Sequence, residues 1–282
     1  MTSGWTDRRG MLLGAGAAMA AGLLASGPAW AAPFASRRIA VTVRGTGRDV
    51  VLIAGLASGP ALWNGLMAAV PGYRWHLVHV RGFAGLAADA NASGPLVQPI
   101  ADEIARYIGA AGLTGPAIIG HSMGGTLAMM LGLKGLAGRV MVVDMLPEGA
   151  AMVGGTAQGL GYLADQLSQY FTGTRAGRAY MAQILAQAPG AKGSDPDVIA
   201  NALRDLANID LGPQLARMDA PLEVVYAVGA DPAQASAIGR TFRAAYAGKR
   251  GVRLVPIGPS GHVVMADQPA RFAGLVREFL GS

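Results

Sequence analysis

Ala117-Ile-Ile-Gly-His-Ser-Met-Gly-Gly125 is the stretch on which the fold turns. An apolar, strand-like run, Ala117 to Ile119, passes through G-x-S-x-G at 120–124 into a helix-compatible run from Gly124 to Leu133. A serine held at so sharp a strand-to-helix bend needs glycine at 120 and 124, because a Cβ at either would strike the neighbouring strand or helix. Gly125 adds room for close packing of the helix. The bend exposes the Ser122 hydroxyl at a helix N-terminus, where amides and dipole favour negative charge. With 42 glycines the pattern can arise by chance, but the strand before it and the helix after it are the context the motif requires.

Outward from this bend the chain alternates. Arg38 to Val43 and Asp49 to Ile53 are β-branched runs around Gly45-Thr-Gly47, which predicts a hairpin. A helical piece at Pro60 to Val70 follows, then a strand at His76 to Val80 and a helix at Leu96 to Ala111. Beyond the bend come strands at Val140 to Val143 and Leu222 to Val228, a helix at Pro232 to Tyr246, a strand at Val252 to Ile257 and a helix at Pro269 to Leu280. Strands separated by helices imply right-handed crossovers, so the fold class is α/β: a mostly parallel central sheet with helices on both faces. From about Pro147 to Pro213 the alternation stops. That interval is rich in Ala, Gln, Leu and Met with no evident strand, and is expected to be a helical cap inserted over the sheet edge where ligands bind.

The first residues carry a different signal. Asp7-Arg8-Arg9-Gly10-Met11-Leu12-Leu13 precedes a soft apolar stretch, Gly14 to Leu24, and Ala29-Trp30-Ala31 supplies an A-x-A cleavage pattern. The segment resembles a twin-arginine export signal. Its uninterrupted apolar run is shorter than the ~20 residues that span a bilayer, so no stable membrane anchor is expected. The expected organisation is a cleavable signal at 1–31 and a single α/β domain at 32–282 that carries the cap insertion at about 147–213. The precursor's partner is then the twin-arginine export machinery, and the mature chain is periplasmic or secreted.

The net charge is +6, and residues 1–31 hold only two arginines and one aspartate of it, so the basic balance belongs to the rest of the chain. Those charges are scattered among apolar stretches, without the basic, aromatic-interleaved face that nucleic-acid binding needs. Zero cysteines exclude disulfides, thiolate metal sites and a cysteine nucleophile. Among the four histidines, His76 and His79 lie at odd spacing in one strand and point to opposite faces, which argues against a two-histidine chelate.

A serine hydroxyl needs a base to take its proton and an acid to orient that base. His121, the chain neighbour of Ser122, is expected to point away from it. His262, in Gly258-Pro-Ser-Gly-His262 after a strand and before the last helix, is the base candidate. Asp231 and Asp144, each following a strand, are the acid candidates, although Asp231-Pro232 also suits a helix N-cap with proline at the first helical position.

Over residues 38 to 280 the chain resembles the α/β-hydrolase family. Gly120-His-Ser-Met-Gly-Gly125 is a frequent form of that family's nucleophile elbow, Val51-Leu-Ile-Ala-Gly-Leu56 looks like its strand and oxyanion loop with Ala54 in place of the usual His, and Arg81-Gly-Phe-Ala-Gly85 looks like its Arg-Gly-x-Gly loop. The resemblance implies Ser122 as nucleophile, His262 as base and Asp231 as acid, with Asp144 as the alternative because some members carry the acid one strand earlier. It further implies an oxyanion hole from the backbone amides of Leu56 and Met123, with no metal or organic cofactor. The expected substrate is a small-molecule carboxylic ester, cleaved through an acyl-enzyme. C–C bond hydrolysis or cofactor-free perhydrolysis on the same triad is the alternative, and a non-catalytic binding protein the reading from another class. Leu160, Tyr162, Leu163, Tyr170, Phe171 and Tyr180 of the expected cap have spacings suited to an acyl pocket or to cap core.

Overall fold

A computed structural model describes residues 34–153, 179, 183 and 191–281. The export-like leader and the six cap residues named above lie outside the described residues, as does most of the expected cap.

Seven strands form one sheet: β1 (Ile39–Arg44), β2 (Arg48–Ile53), β3 (Tyr73–Val80), β4 (Ala117–His121), β5 (Arg139–Val143), β6 (Leu222–Ala227) and β7 (Arg253–Ile257). Their spatial order is β1-β3-β2-β4-β5-β6-β7, parallel throughout except for β1, which runs antiparallel along β3. The α/β architecture is thus as the alternation implies. Among the described residues the helices with defined bounds are α1 (Asn64–Ala69), α2 (Val97–Ala110), α3 (Met123–Leu133), α4 (Pro196–Ala207), α5 (Pro232–Ala245), α6 (Val264–Asp267) and α7 (Pro269–Gly281). A 3-10 turn at Pro60–Trp63 leads into α1, which splits the helix expected at 60–70 into two short pieces.

The period-two alternation of each strand divides the core. Val51, Ile53, Ile118, Val140, Val142 and Val224 pack against α2, α3 and the Phe242 and Tyr246 end of α5. Val50, Leu52, Ile119, Met141, Val143 and Val225 pack on the other face against Trp63, Leu66 and the apolar side of α7. Both faces of the central strands are therefore buried, the condition under which parallel strands read as continuous apolar runs.

The expected hairpin does not form, because β3 lies between β1 and β2. The Gly45–Gly47 connection crosses two strand spacings, about 10 Å, over the start of β3. It passes so close that a Cβ on Gly45 would sit 2.4 Å from the Tyr73 carbonyl oxygen, and one on Gly47 2.2 Å from that of Gly72. Burial explains the choice: β2 is enclosed over Val50 to Ile53 and takes parallel partners on both sides, whereas β1 exposes its second half and suits a sheet edge.

Within the interval expected as a cap, the described residues form a 3-10 turn at Ala150–Val153, helix α4 and a 3-10 stretch at Gly212–Arg217, with one isolated bridge between Glu148 and Asp210. Asp195 caps α4 by accepting from the Asp197 and Val198 amides, and Pro196 opens it. Among the described residues no helix is long and apolar enough to cross a membrane.

Candidate active site

Ser122 stands between β4 and α3 with φ 54° and ψ −125°, a conformation that costs a residue with a Cβ on the order of 1–3 kcal/mol. Three backbone bonds hold it there. The Ser122 amide donates to the Val143 carbonyl at 2.9 Å, and the Ser122 carbonyl accepts from the Gly125 and Thr126 amides at 2.6 and 3.3 Å. The two glycines are needed for the reason the bend predicts: a Cβ on Gly120 would lie 2.0 Å from the Gly124 carbonyl oxygen, and one on Gly124 2.2 Å from that of Ile53.

His262 arrives on the loop between β7 and α6 and places Nδ1 2.7 Å from Oδ2 of Asp144. The other carboxylate oxygen of Asp144 accepts from the Ala227 amide at 2.9 Å, so the carboxylate is gripped from both sides. Its side chain is 8% exposed while that of His262 is 45% exposed. With Nδ1–H donating to the carboxylate, the neutral imidazole carries its lone pair on Nε2, the state a general base requires.

Asp231, the acid that the resemblance implies first, is not the hydrogen-bond partner of His262. It caps α5, its carboxylate accepting from the Gln234 amide at 2.7 Å, with Pro232 as the first helical residue. Sheet adjacency explains the difference. β5 lies beside β4 in a register that sets Val143 opposite His121, so Asp144 emerges next to Ser122, whereas Asp231 lies four residues past the end of β6. Asp144 also takes a positive φ, 50°, as it leaves its strand.

Ser122, Asp144, His262 and Leu56 line one cavity of about 390 Å3, together with Met145, Met152 and two leucines of α4. No hydrogen bond joins the Ser122 hydroxyl to the imidazole; such contacts commonly tighten only with substrate in place. The Leu56 and Met123 amides take no acceptor among the described residues, and Met123 is the first residue of α3, where helix amides are orphaned. Gly55 brings the Leu56 loop against the bend, since a Cβ on it would lie 2.9 Å from Cβ of Ser122.

His121 is the residue whose part the sequence reading missed. Its Nε2–H donates to the backbone carbonyl of His262 at 2.8 Å, and the two rings lie 4.7 Å apart between centroids. Burial holds the His121 pKa down from 6.5 to about 4, with the neighbouring His262 ring acting in the same direction, so the ring stays neutral and keeps a proton for that carbonyl. Strand parity carries the signal: the alternation that sends Ile119 to the face covered by α6 and α7 sends His121 there too, and His262 stands just ahead of α6. The loop bearing His262 is further tied by Asp267, which accepts from the Gly261 amide at 2.8 Å, and by Gln268, which donates to the Pro259 carbonyl at 2.7 Å.

His76 and His79 make no chelate. Nε2 of His79 bonds the Phe83 carbonyl, and His76 is taken up by Tyr107 and Asp49. Among the described residues no three His, Asp or Glu side chains gather as a metal site would need.

This chain belongs to the alpha/beta hydrolase family, whose sequence model matches residues 50–275. Solved structures share the fold. A hydrolase from Pseudomonas aeruginosa PA01 is 20% identical with TM-score 0.68, the match covering 86% of this chain and 94% of that one. An esterase from Exiguobacterium antarcticum is 19% identical with TM-score 0.69, covering 86% and 96%. An enol-lactonase from Burkholderia xenovorans LB400 is likewise 19% identical, with TM-score 0.63 over 86% and 96%. A search of the curated proteins finds no match.

Proposed function

We propose that the chain is a serine hydrolase of carboxylic esters in which Ser122 is the nucleophile, His262 the general base and Asp144 the orienting acid. The observation that carries this is the His262–Asp144 pair at 2.7 Å opening on the same cavity as a serine held at positive φ. His262 Nε2 takes the Ser122 proton as Oγ attacks the ester carbonyl. The amides of Leu56 and Met123 receive the developing oxyanion, each contributing about 3 kcal/mol. The imidazolium then protonates the leaving alcohol, and a water activated by the same ring releases the acid from Ser122.

The cavity's aliphatic lining, with Leu56, Met145, Met152, Leu203 and Leu206, favours an uncharged acyl group of small to medium size. That solved structures of the same fold include one named an esterase and one named an enol-lactonase supports an ester as the substrate class. The test is direct. Wild type should hydrolyse p-nitrophenyl esters and take up a fluorophosphonate label on Ser122. Ser122→Ala should abolish labelling and lower kcat by at least about 10^4-fold; label retained by Ser122→Ala would place the nucleophile elsewhere.

Export is the second part of the proposal, supported by Arg8-Arg9, the soft apolar stretch and Ala29-Trp30-Ala31.

A further inference from the structure

Ser194 lies far from the bend in sequence and is absent from the triad, yet its buried hydroxyl joins two loops at the site. Its Oγ–H donates to the Ala57 carbonyl at 2.8 Å, and the same oxygen accepts from the Ala84 amide at 2.8 Å. One hydroxyl thereby uses its only proton on one loop and a lone pair on the other.

Both alanines occupy left-handed backbone, with φ 58° at Ala57 and 45° at Ala84, where glycine is the usual residue. Ala57 is the third residue of a turn closed by the Ser58 amide donating to the Gly55 carbonyl at 3.1 Å, and the second residue of that turn is Leu56. A turn with positive φ at its third position is costly for alanine, so its geometry persists only where neighbours fix it.

The surroundings show Ser194 to be firmly seated. The Gly85 amide donates to the Gly193 carbonyl at 3.2 Å and the Asp195 amide to the Gly82 carbonyl at 2.7 Å, which straps residues 193–195 onto the Arg81–Leu86 loop. A Cβ on Gly59 would lie 2.8 Å from Cβ of Ala84, so the two loops also touch each other directly. Ser194 is the polar link from this strapped segment to the turn that carries Leu56.

We infer that Ser194 is a positioning residue for the oxyanion hole: by holding the Ala57 carbonyl it fixes the turn at Gly55–Ser58 and with it the aim of the Leu56 amide. The inference rests on the reading of Leu56 as an oxyanion donor. Its consequence is that loss of the hydroxyl weakens binding of the transition state more than binding of the ester.

The experiment compares wild type with Ser194→Ala, Ser194→Thr and Ser194→Val on p-nitrophenyl butyrate, with phenylboronic acid as a tetrahedral adduct of Ser122. Ser194→Ala should lower kcat about ten-fold and weaken the boronate by a similar factor, with KM within about two-fold of wild type. Thr keeps the hydroxyl and should recover most of the loss, whereas the isosteric Val should not. That pair decides the matter if the alanine variant folds poorly. Variants that lose thermal stability equally while keeping the wild-type kcat and boronate affinity would overturn the inference and leave the triad reading intact. A wild type inert to ester, boronate and fluorophosphonate would remove the triad reading and the inference together.

Discussion

Among the described residues the sheet carries two aspartate–histidine pairs of nearly equal length, and they differ in what surrounds the ring. In the N-terminal half of β3, His76 Nε2 lies 2.8 Å from Oδ1 of Asp49; past the C-terminal ends of β5 and β7, His262 Nδ1 lies 2.7 Å from Oδ2 of Asp144. The difference is in what the other ring nitrogen meets. In His76 it is consumed by the Tyr107 hydroxyl, and the side chain is only 4% exposed. In His262 it has no partner among the described residues, and the residue lines a cavity together with Ser122. Asp49 is moreover shared with Arg74, whose guanidinium holds its carboxyl below the ordinary carboxylate range and ties it to the scaffold. An aspartate–histidine bond orients a ring in either place; a free nitrogen and a neighbouring nucleophile make it a base.

The largest effect expected from this contrast is on turnover. Asp144→Asn should lower kcat about 10^3- to 10^4-fold, because the amide favours the wrong tautomer of His262. Asp49→Asn should leave kcat close to wild type and lower the unfolding temperature instead. Steady-state kinetics and thermal melts on both variants would break the comparison if the two losses were reversed.

A smaller effect concerns pH. The unfolded chain protonates at His121 below about pH 6.5, whereas the folded ring resists until about pH 4, so native stability falls as the pH drops through that window. The loss is about 3 kcal/mol at most, and none of it is present above the upper limit. Denaturant midpoints at about pH 7 and pH 4.5 should converge more in His121→Gln than in wild type; an equal pH response in both would assign the acid sensitivity to other groups.

The smallest effect separates the two aspartates proposed from sequence. Asp231→Ala removes an N-cap and should cost about 1 kcal/mol of stability while keeping kcat. A loss of turnover comparable to that of Asp144→Asn would return the acid role to Asp231.

Much of this protein was decided locally. The Gly120–Gly125 run alone dictated a tight bend, since a Cβ at Gly120 or Gly124 would lie 2.0–2.2 Å from a backbone oxygen, and the period-two apolar strands with intervening helices dictated a covered, mostly parallel sheet. His262 is the base candidate from its loop ahead of the last helix and from the family resemblance, and the structure sets it against Asp144. What local pattern could not supply was adjacency across the sheet. Whether β1 pairs with β2 or β3, and which of two strand-end aspartates reaches the imidazole, depend on strand order, and strand order is set by which strands must be buried on both sides. Ser194 and His121 belong to the same class: each acts on a loop distant in sequence, through a contact that exists only once the sheet has brought those loops together.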